Sequence, residues 1–170
     1  MNRSRPSLTV NECKIQASLL LKALYSDDPE KAIQAAKRFK RLPEFSEYSL
    51  DKIVHLDIKL KHALNAIAIS KGFKTWVDLK TQIPLVIGGF LNQWFADYAI
   101  AKSHLNAEGG FLLPYKNQFF ICDAHYIKQL GFNPKDPDWK SIGYDWVNPK
   151  NPDAWKRLYK KWIKIQGDKP

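Results

Sequence analysis

The stretch Glu108-Gly109-Gly110-Phe111-Leu112-Leu113-Pro114-Tyr115-Lys116-Asn117-Gln118-Phe119-Phe120-Ile121-Cys122-Asp123-Ala124-His125-Tyr126-Ile127-Lys128-Gln129-Leu130-Gly131-Phe132 decides the fold class. Phe111 to Tyr115 and Gln118 to Cys122 are short apolar runs rich in residues that pack well on a pleated surface. Between them sits Lys116-Asn117. Asn tolerates the left-handed backbone of a tight turn, so the pair predicts an antiparallel hairpin over 111–122. Pro114 has no N–H for a ladder, which makes the first strand an edge strand. Asp123 predicts an N-cap for a helix over Ala124 to Leu130, and Gly131 the left-handed residue that stops it. Neither strand alternates cleanly, as suits a small sheet covered by helices.

Helical patterns flank this stretch. On its N-terminal side the spacing predicts the longest helix, Phe90 to Ala107. There Leu91, Trp94, Phe95, Tyr98 and Leu105 recur at i, i+3, i+4, i+7 and i+14 as a core stripe. Ile83-Pro84 marks a domain seam. Gly88-Gly89 is too little for a phosphate-cradling loop, and the GxxxxGK[ST] pattern is absent from the sequence. On the C-terminal side, Asn133-Pro134-Lys135-Asp136-Pro137-Asp138-Trp139 is echoed by Asn148-Pro149-Lys150-Asn151-Pro152-Asp153-Ala154-Trp155. Each has a cap, then Pro at the first helical position, then an acid, so two similar helix starts are expected. The first helix is short and ends at Gly143, and Tyr144 to Val147 follows as a strand or an extended segment. The second runs from Pro152 to about Gln166. Its apolar stripe is Trp155, Leu158, Tyr159, Trp162 and Ile163, and its basic stripe is Lys156, Arg157, Lys160, Lys161 and Lys164.

In the N-terminal half, residues 1–8 read as a basic tail. Thr9 and Glu12 form a capping box for a helix to about Tyr25, with Ile15, Leu19, Ala23 and Leu24 expected inside. Asp28-Pro29 starts a second helix to about Lys40, with Ala32, Ala35, Ala36 and Phe39 as its buried face. It closes on Lys37-Arg38-Phe39-Lys40-Arg41, the densest basic run in the chain. Ser49 caps one short helix. Another spans Leu60 to Lys71, with Leu60, Ala63, Leu64, Ile67 and Ala68 on one face and His62 at the surface. Gly72 ends it, and Thr75, with Asp78, caps a last helix from Trp76.

The segment His62-Ala63-Leu64-Asn65-Ala66-Ile67-Ala68-Ile69-Ser70-Lys71-Gly72-Phe73-Lys74-Thr75-Trp76-Val77-Asp78-Leu79 resembles a small helical module of bacterial proteins. The module is found beside ankyrin repeats and as an accessory domain in the glyoxalase superfamily. Its signature is Gly-Phe (or Gly-Tyr), a residue, Ser or Thr, Trp, two residues and Leu. The likeness extends back to about Ile15 and does not reach residues 85–170. It implies a helical fold and brings no activity with it. The same helix–Gly turn–helix has the outline of a helix-turn-helix, offering Lys74, Lys80, Thr81 and Gln82, but its second helix is barely two turns long.

The 170 residues suffice for one domain or two small ones, and 45% apolar content with six Trp, seven Tyr and nine Phe excludes a disordered chain. No apolar run is long enough for a membrane span, and the basic N-terminus leads into no signal-peptide pattern. Cys13 and Cys122 stand apart with no metal-ligand spacing, so free thiols in a reducing cytoplasm are expected, with no metal and no cofactor. The net charge is +10. Residues 1–85 hold 15 basic against 9 acidic side chains, and residues 86–170 hold 12 against 8, so both halves share the excess. Such a balance permits an anionic partner.

The expected fold is helix-dominated α+β: a helical bundle over 8–82, then 85–166 with helices around the hairpin. The leading functional expectation is a non-enzymatic protein binding RNA or DNA. Its contacts would come from Lys37, Arg38, Lys40 and Arg41 and from Lys156, Arg157, Lys160, Lys161 and Lys164. One alternative is a metal-independent RNase, in which His104 and His125 meet around the sheet with Tyr115, Lys116 and Asp123, a histidine serving as acid or base and Lys116 stabilising charge on the phosphate. A second is an interaction module of antitoxin or immunity type with a protein partner.

Overall fold

The computed structural model describes residues 8–167, so the basic tail expected at 1–8 lies, Leu8 aside, outside the described residues. The protein is a helix-dominated α+β fold with one small antiparallel sheet. The chain divides into two compact units, Met1–Ile83 and Pro84–Pro170.

The first unit is helical: α1 Val10–Leu24, α2 Pro29–Phe39, α3 Leu50–Val54, α4 Leu60–Ser70 and α5 Trp76–Gln82. Its starts follow local chemistry. Thr9 and Glu12 form the reciprocal capping box, Asp28 Oδ1 accepts from the N–H groups of Glu30 and Lys31, and Ser49 and Thr75 cap α3 and α5. The interior face of α1 differs from the expected one. Cys13, Ala17, Leu20 and Leu24 are buried, whereas Ile15 and Leu19 are more than half exposed. α1 packs on α2 and α4. Those helices present Ala32, Ala35 and Ala36, and Ala63, Ala66 and Ala68. Small side chains let helix axes approach closely, so the Cys13/Ala17 side of α1 takes the contact and the bulkier pair stays out. On α4 likewise Leu60 is exposed and Ala66 takes a core place. His62 is half-buried rather than a surface residue. Its Nδ1 accepts from the Lys59 N–H at 2.9 Å and its ring meets the edge of Phe45.

The Gly-Phe turn has a clear physical basis. Gly72 sits at φ 89°, and the N–H of Phe73 reaches back to the Ala68 carbonyl, closing α4 with a Schellman pattern. Asn65 adds a contact that the sequence did not announce: its Oδ1 accepts from the Trp76 N–H at 2.8 Å and so pins the start of α5 to α4.

The second unit holds β1 Gln93–Phe95, α6 Tyr98–Glu108, β2 Phe111–Tyr115, β3 Gln118–Cys122, α7 Ala124–Gln129, α8 Pro137–Ser141 and α9 Pro152–Gly167. The hairpin forms, with Phe111 opposite Cys122 and Tyr115 opposite Gln118, and β2 is an edge strand, as Pro114 requires. The long helix expected over Phe90–Ala107 does not form. Its first half is β1, which pairs with β3 to give the order β1-β3-β2. Asp97 is the reason for the break: its Oδ1 caps α6 through the Ile100 N–H, so the helix starts only at Tyr98. The stripe therefore splits, leaving Leu91 fully exposed and Trp94 stacked obliquely on Phe120.

The two faces of the sheet carry separate cores. Leu112 and Ile121, with Phe95 and Phe119, pack against Ala101 and Leu105 of α6. Phe111, Leu113, Phe120 and Cys122 pack into an aromatic cluster with Tyr126, Phe132, Trp139, Trp146 and Trp162. The segment after α8 is tied in by a parallel bridge, with Leu112 bonded to the Tyr144 carbonyl and the Trp146 N–H. Beside it Asp145, fully buried, is saturated. Its Oδ2 accepts from Tyr98 Oη at 2.6 Å and Lys102 Nζ at 2.9 Å, and its Oδ1 from the N–H groups of Val147 and Asn148. Burial, and then the Asp145 carboxylate, push the Tyr98 phenol up to about 12. No helix among the described residues is long and apolar enough to cross a membrane.

Candidate functional site

α9 was expected to offer a basic face, and the structure sorts its cations. The first of the paired helix starts explains the sorting. Asp136 caps α8 through the Asp138 N–H, and the two carboxylates then face α9. Arg157 grips Asp138 with two bonds, Nη2 to Oδ1 at 2.7 Å and Nε to Oδ2 at 3.1 Å. Lys161 Nζ lies 2.6 Å from Asp136 Oδ2. The bidentate guanidinium holds the Asp138 carboxyl below its usual range, with Lys161 adding to the effect. Arg157 and Lys161 thus tie α9 to α8. Lys156 makes a long, exposed contact to Asp153. Lys160 and Lys164 have no ion-pair partner among the described residues.

Lys164 borders a groove of about 680 Å³ between α9 and the turn after α7. Gly131, at φ 98°, makes that turn. A Cβ there would come within 2.9 Å of Ile165, so Gly allows α9 to approach. Trp162 Nε1 and Gln166 Nε2 both donate to the Leu130 carbonyl at 3.1 Å. Trp162 stacks on Phe132, with planes 11° apart, and both line the groove. Lys128, Lys135, Lys161 and Lys164 complete its border, and Asp136 is the one acidic residue lining it among the described residues. Since Asp136 is held by Lys161, three lysines face this groove without a compensating carboxylate among the described residues.

The basic run of the first unit is less available than its sequence implied. Lys40 Nζ donates to the Tyr48 carbonyl at 2.7 Å, closing the loop after α2. Arg38 reaches Ser70 Oγ and borders an apolar groove of about 720 Å³ between α1 and α2, where Leu19 lies. Lys37 and Arg41 are exposed. In the helix-turn-helix outline, Gln82 is buried and Thr81 bonds back to the Val77 carbonyl, which takes both away from base reading.

Of the residues of the RNase alternative, His104 and Asp123 reach one cleft and the other three fall elsewhere. His104 is half-buried against Phe95, on the α6 side of the sheet. Tyr115 packs on the opposite face, edge-on to Trp94. Lys116 is in the hairpin turn at φ 57°, its Nζ over the Tyr115 ring. That turn lies a full strand, roughly 13 Å, from the Gly110/Cys122 end of the hairpin. His125 is exposed beside Phe90. What the fold does bring together is His104, Glu108 and Asp123, with Asn92 and Gln93, around a polar cleft of about 640 Å³. Among the described residues no lysine or arginine lines that cleft, so none of them would balance a reacting phosphate there. Cys122 is buried, donates weakly to the Phe111 carbonyl and has its thiol pushed up by burial, which removes it as a nucleophile.

Lys128 and Lys135 were not singled out in the sequence. Each is a lone lysine on a different element, and only the Gly131 turn brings them beside Lys164. No group of His, Cys, Asp or Glu that could hold a metal occurs among the described residues. The chain matches no protein-family model, no curated protein and no solved structure.

Proposed function

We propose that this chain is a non-enzymatic binding protein whose partner is a nucleic acid, met by the lysine-edged surface of its second unit. The observation that carries this is the groove between α9 and the turn after α7. Lys128, Lys135 and Lys164 line it without ion-pair partners among the described residues, while Asp136 and Asp138 are spent on Lys161 and Arg157. A surface whose acids are paired internally keeps its positive potential for phosphates. Lys160 and Lys156 extend the same charge along α9. A reducing, cytoplasmic setting fits two buried free thiols.

The test is fluorescence anisotropy with labelled single-stranded RNA and duplex DNA across a salt series, with the recovered RNA run on a gel. Binding should weaken steeply with salt and the RNA should stay intact. The triple variant Lys128→Ala/Lys135→Ala/Lys164→Ala should flatten the log–log salt slope by about 2 for a single strand, since each phosphate contact contributes about 0.7. Absence of binding at low salt overturns the reading. That result would favour a protein partner, for which the apolar α1–α2 groove and the exposed Leu19 are the natural surface.

A further inference from the structure

A third cleft of the same unit, of about 560 Å³, carries a more specific chemistry. Gly109 and Gly110 form part of its wall, and Asn106, Lys140, Tyr144 and Lys150 surround them. Tyr144 is the informative residue. It has φ 57°, and Lys116 in the hairpin turn is the other described non-glycine residue in that region. The backbone has a reason for the conformation. Gly143 at φ 71° and then Tyr144 turn the chain out of α8, so that the Tyr144 carbonyl can accept from the Leu112 N–H at 2.9 Å. That need would be met with less strain by Gly or Asn, which enter the left-handed region more readily than an aromatic residue. The side chain therefore calls for its own explanation. Burial is a poor one: the ring touches Phe111 edge-on at 5.4 Å, and the residue remains 38% exposed. A strained, exposed aromatic in a cleft is a mark of binding function.

Its neighbours define what would bind. The Lys150 stem runs over Gly143, with Cδ and Cε 3.2 Å from where a Cβ would stand, so no larger residue fits at 143 without moving it. Neither Lys140 nor Lys150 has an ion-pair partner among the described residues, and no carboxylate lines the cleft. Asn106 adds an exposed amide, donor and acceptor at once, and a Cβ at Gly109 would meet nothing within 4 Å, so a flat group has room. Resting on the nucleic-acid reading above, we infer that this cleft takes one unpaired nucleotide of a single strand. Its base stacks on Tyr144, its edge meets Asn106, and its phosphate lies between Lys140 and Lys150. A base inside a duplex is stacked on its neighbours and offers no face to Tyr144, so the preference is for single strands or loops.

The decisive variant is Tyr144→Asn, because Asn accepts the left-handed backbone. Its thermal midpoint should equal or exceed that of the parent, while affinity for a single-stranded RNA 12-mer falls about tenfold and affinity for duplex DNA is unchanged. Lys140→Ala/Lys150→Ala should flatten the salt slope for the single strand without removing the Tyr144 dependence. Unchanged single-strand affinity in Tyr144→Asn overturns this inference and leaves the nucleic-acid reading standing. Absence of any nucleic-acid binding in the parent removes that reading and this one with it. Adenosine monophosphate binding as tightly as the 12-mer would assign the cleft to a free nucleotide and overturn the single-strand source.

Discussion

The two units solve the same packing problem with different materials, alanine and aliphatic side chains in the first and clustered aromatic rings in the second. The first lines its helix contacts with small residues, Ala17, Ala32, Ala35, Ala36, Ala63, Ala66 and Ala68 among them, so its helices lie close, and aliphatic side chains such as Leu24, Ile53, Ile67 and Leu79, with Phe39, fill the rest. The second is built from short elements that cannot come so near one another. It fills the space with Phe111, Phe120, Tyr126, Phe132, Trp139, Trp146 and Trp162, many of them edge-to-face. The second unit also carries the buried carboxylates, Asp138 and Asp145, each met by a cation from a neighbouring helix. A bundle of amphipathic helices is held by close approach. A mixed unit of short helices and strands is held by large side chains and a few saturated charges, and its remaining lysines are left at the surface.

This contrast can be broken by exchange. Trp139→Ala opens a cavity under Phe111 and Phe132 that neighbouring aromatic rings cannot close, and should destabilise the protein by about 3–5 kcal/mol. Five of the six tryptophans lie in the second unit, so the loss should register as a lower urea midpoint by tryptophan fluorescence. In the first unit the damaging change runs the other way. Ala36→Leu forces extra volume into a close helix contact and should cost about 1–3 kcal/mol, read by far-ultraviolet circular dichroism. If Trp139→Ala were mild and Ala36→Leu severe, the assignment of the two packing strategies would be reversed.

The smallest effect concerns charge. The Asp138 carboxyl titrates below its unfolded value, so its contribution is present above about pH 4 and fades as pH falls through the lowered folded value. Wild type should therefore exceed Asp138→Asn slightly in urea midpoint near neutrality, and the gap should close on acidification. A gap independent of pH would mean that the Arg157 bridge adds no proton-linked stability and that α9 is held by Leu158 and Trp162 alone.

Much of the fold could be read residue by residue where the cause is local. Thr9 with Glu12, Asp28 before Pro29, Ser49, Thr75, Asp123 and Asp136 all cap the helices expected of them, because a cap needs only a short polar side chain and the next three N–H groups. The error at Phe90–Ala107 has the opposite origin. Gln93-Trp94-Phe95 satisfies helical spacing and strand propensity equally, and pairing with Phe119, Phe120 and Ile121 decides in favour of strand. The cap that ends the strand side, Asp97, lies inside the apolar period and is not marked by it.

The candidate site was less legible for a related reason. The α9 cations were found by period alone, which shows which residues share a helix face but not which of them a carboxylate on another helix will claim. Period could not tell that Arg157 and Lys161 are bound to Asp138 and Asp136, or that Lys128 and Lys135 stand beside Lys164. Nor could it tell that Tyr144 holds a left-handed backbone beside Lys140 and Lys150. By itself the sequence determined most helix starts, α6 excepted, the hairpin and the overall positive charge, since these depend on neighbours within a few residues. The tertiary structure decided which small-residue faces touch, where β1 forms and which lysines remain unpaired, because each depends on residues that approach one another only after the chain has turned.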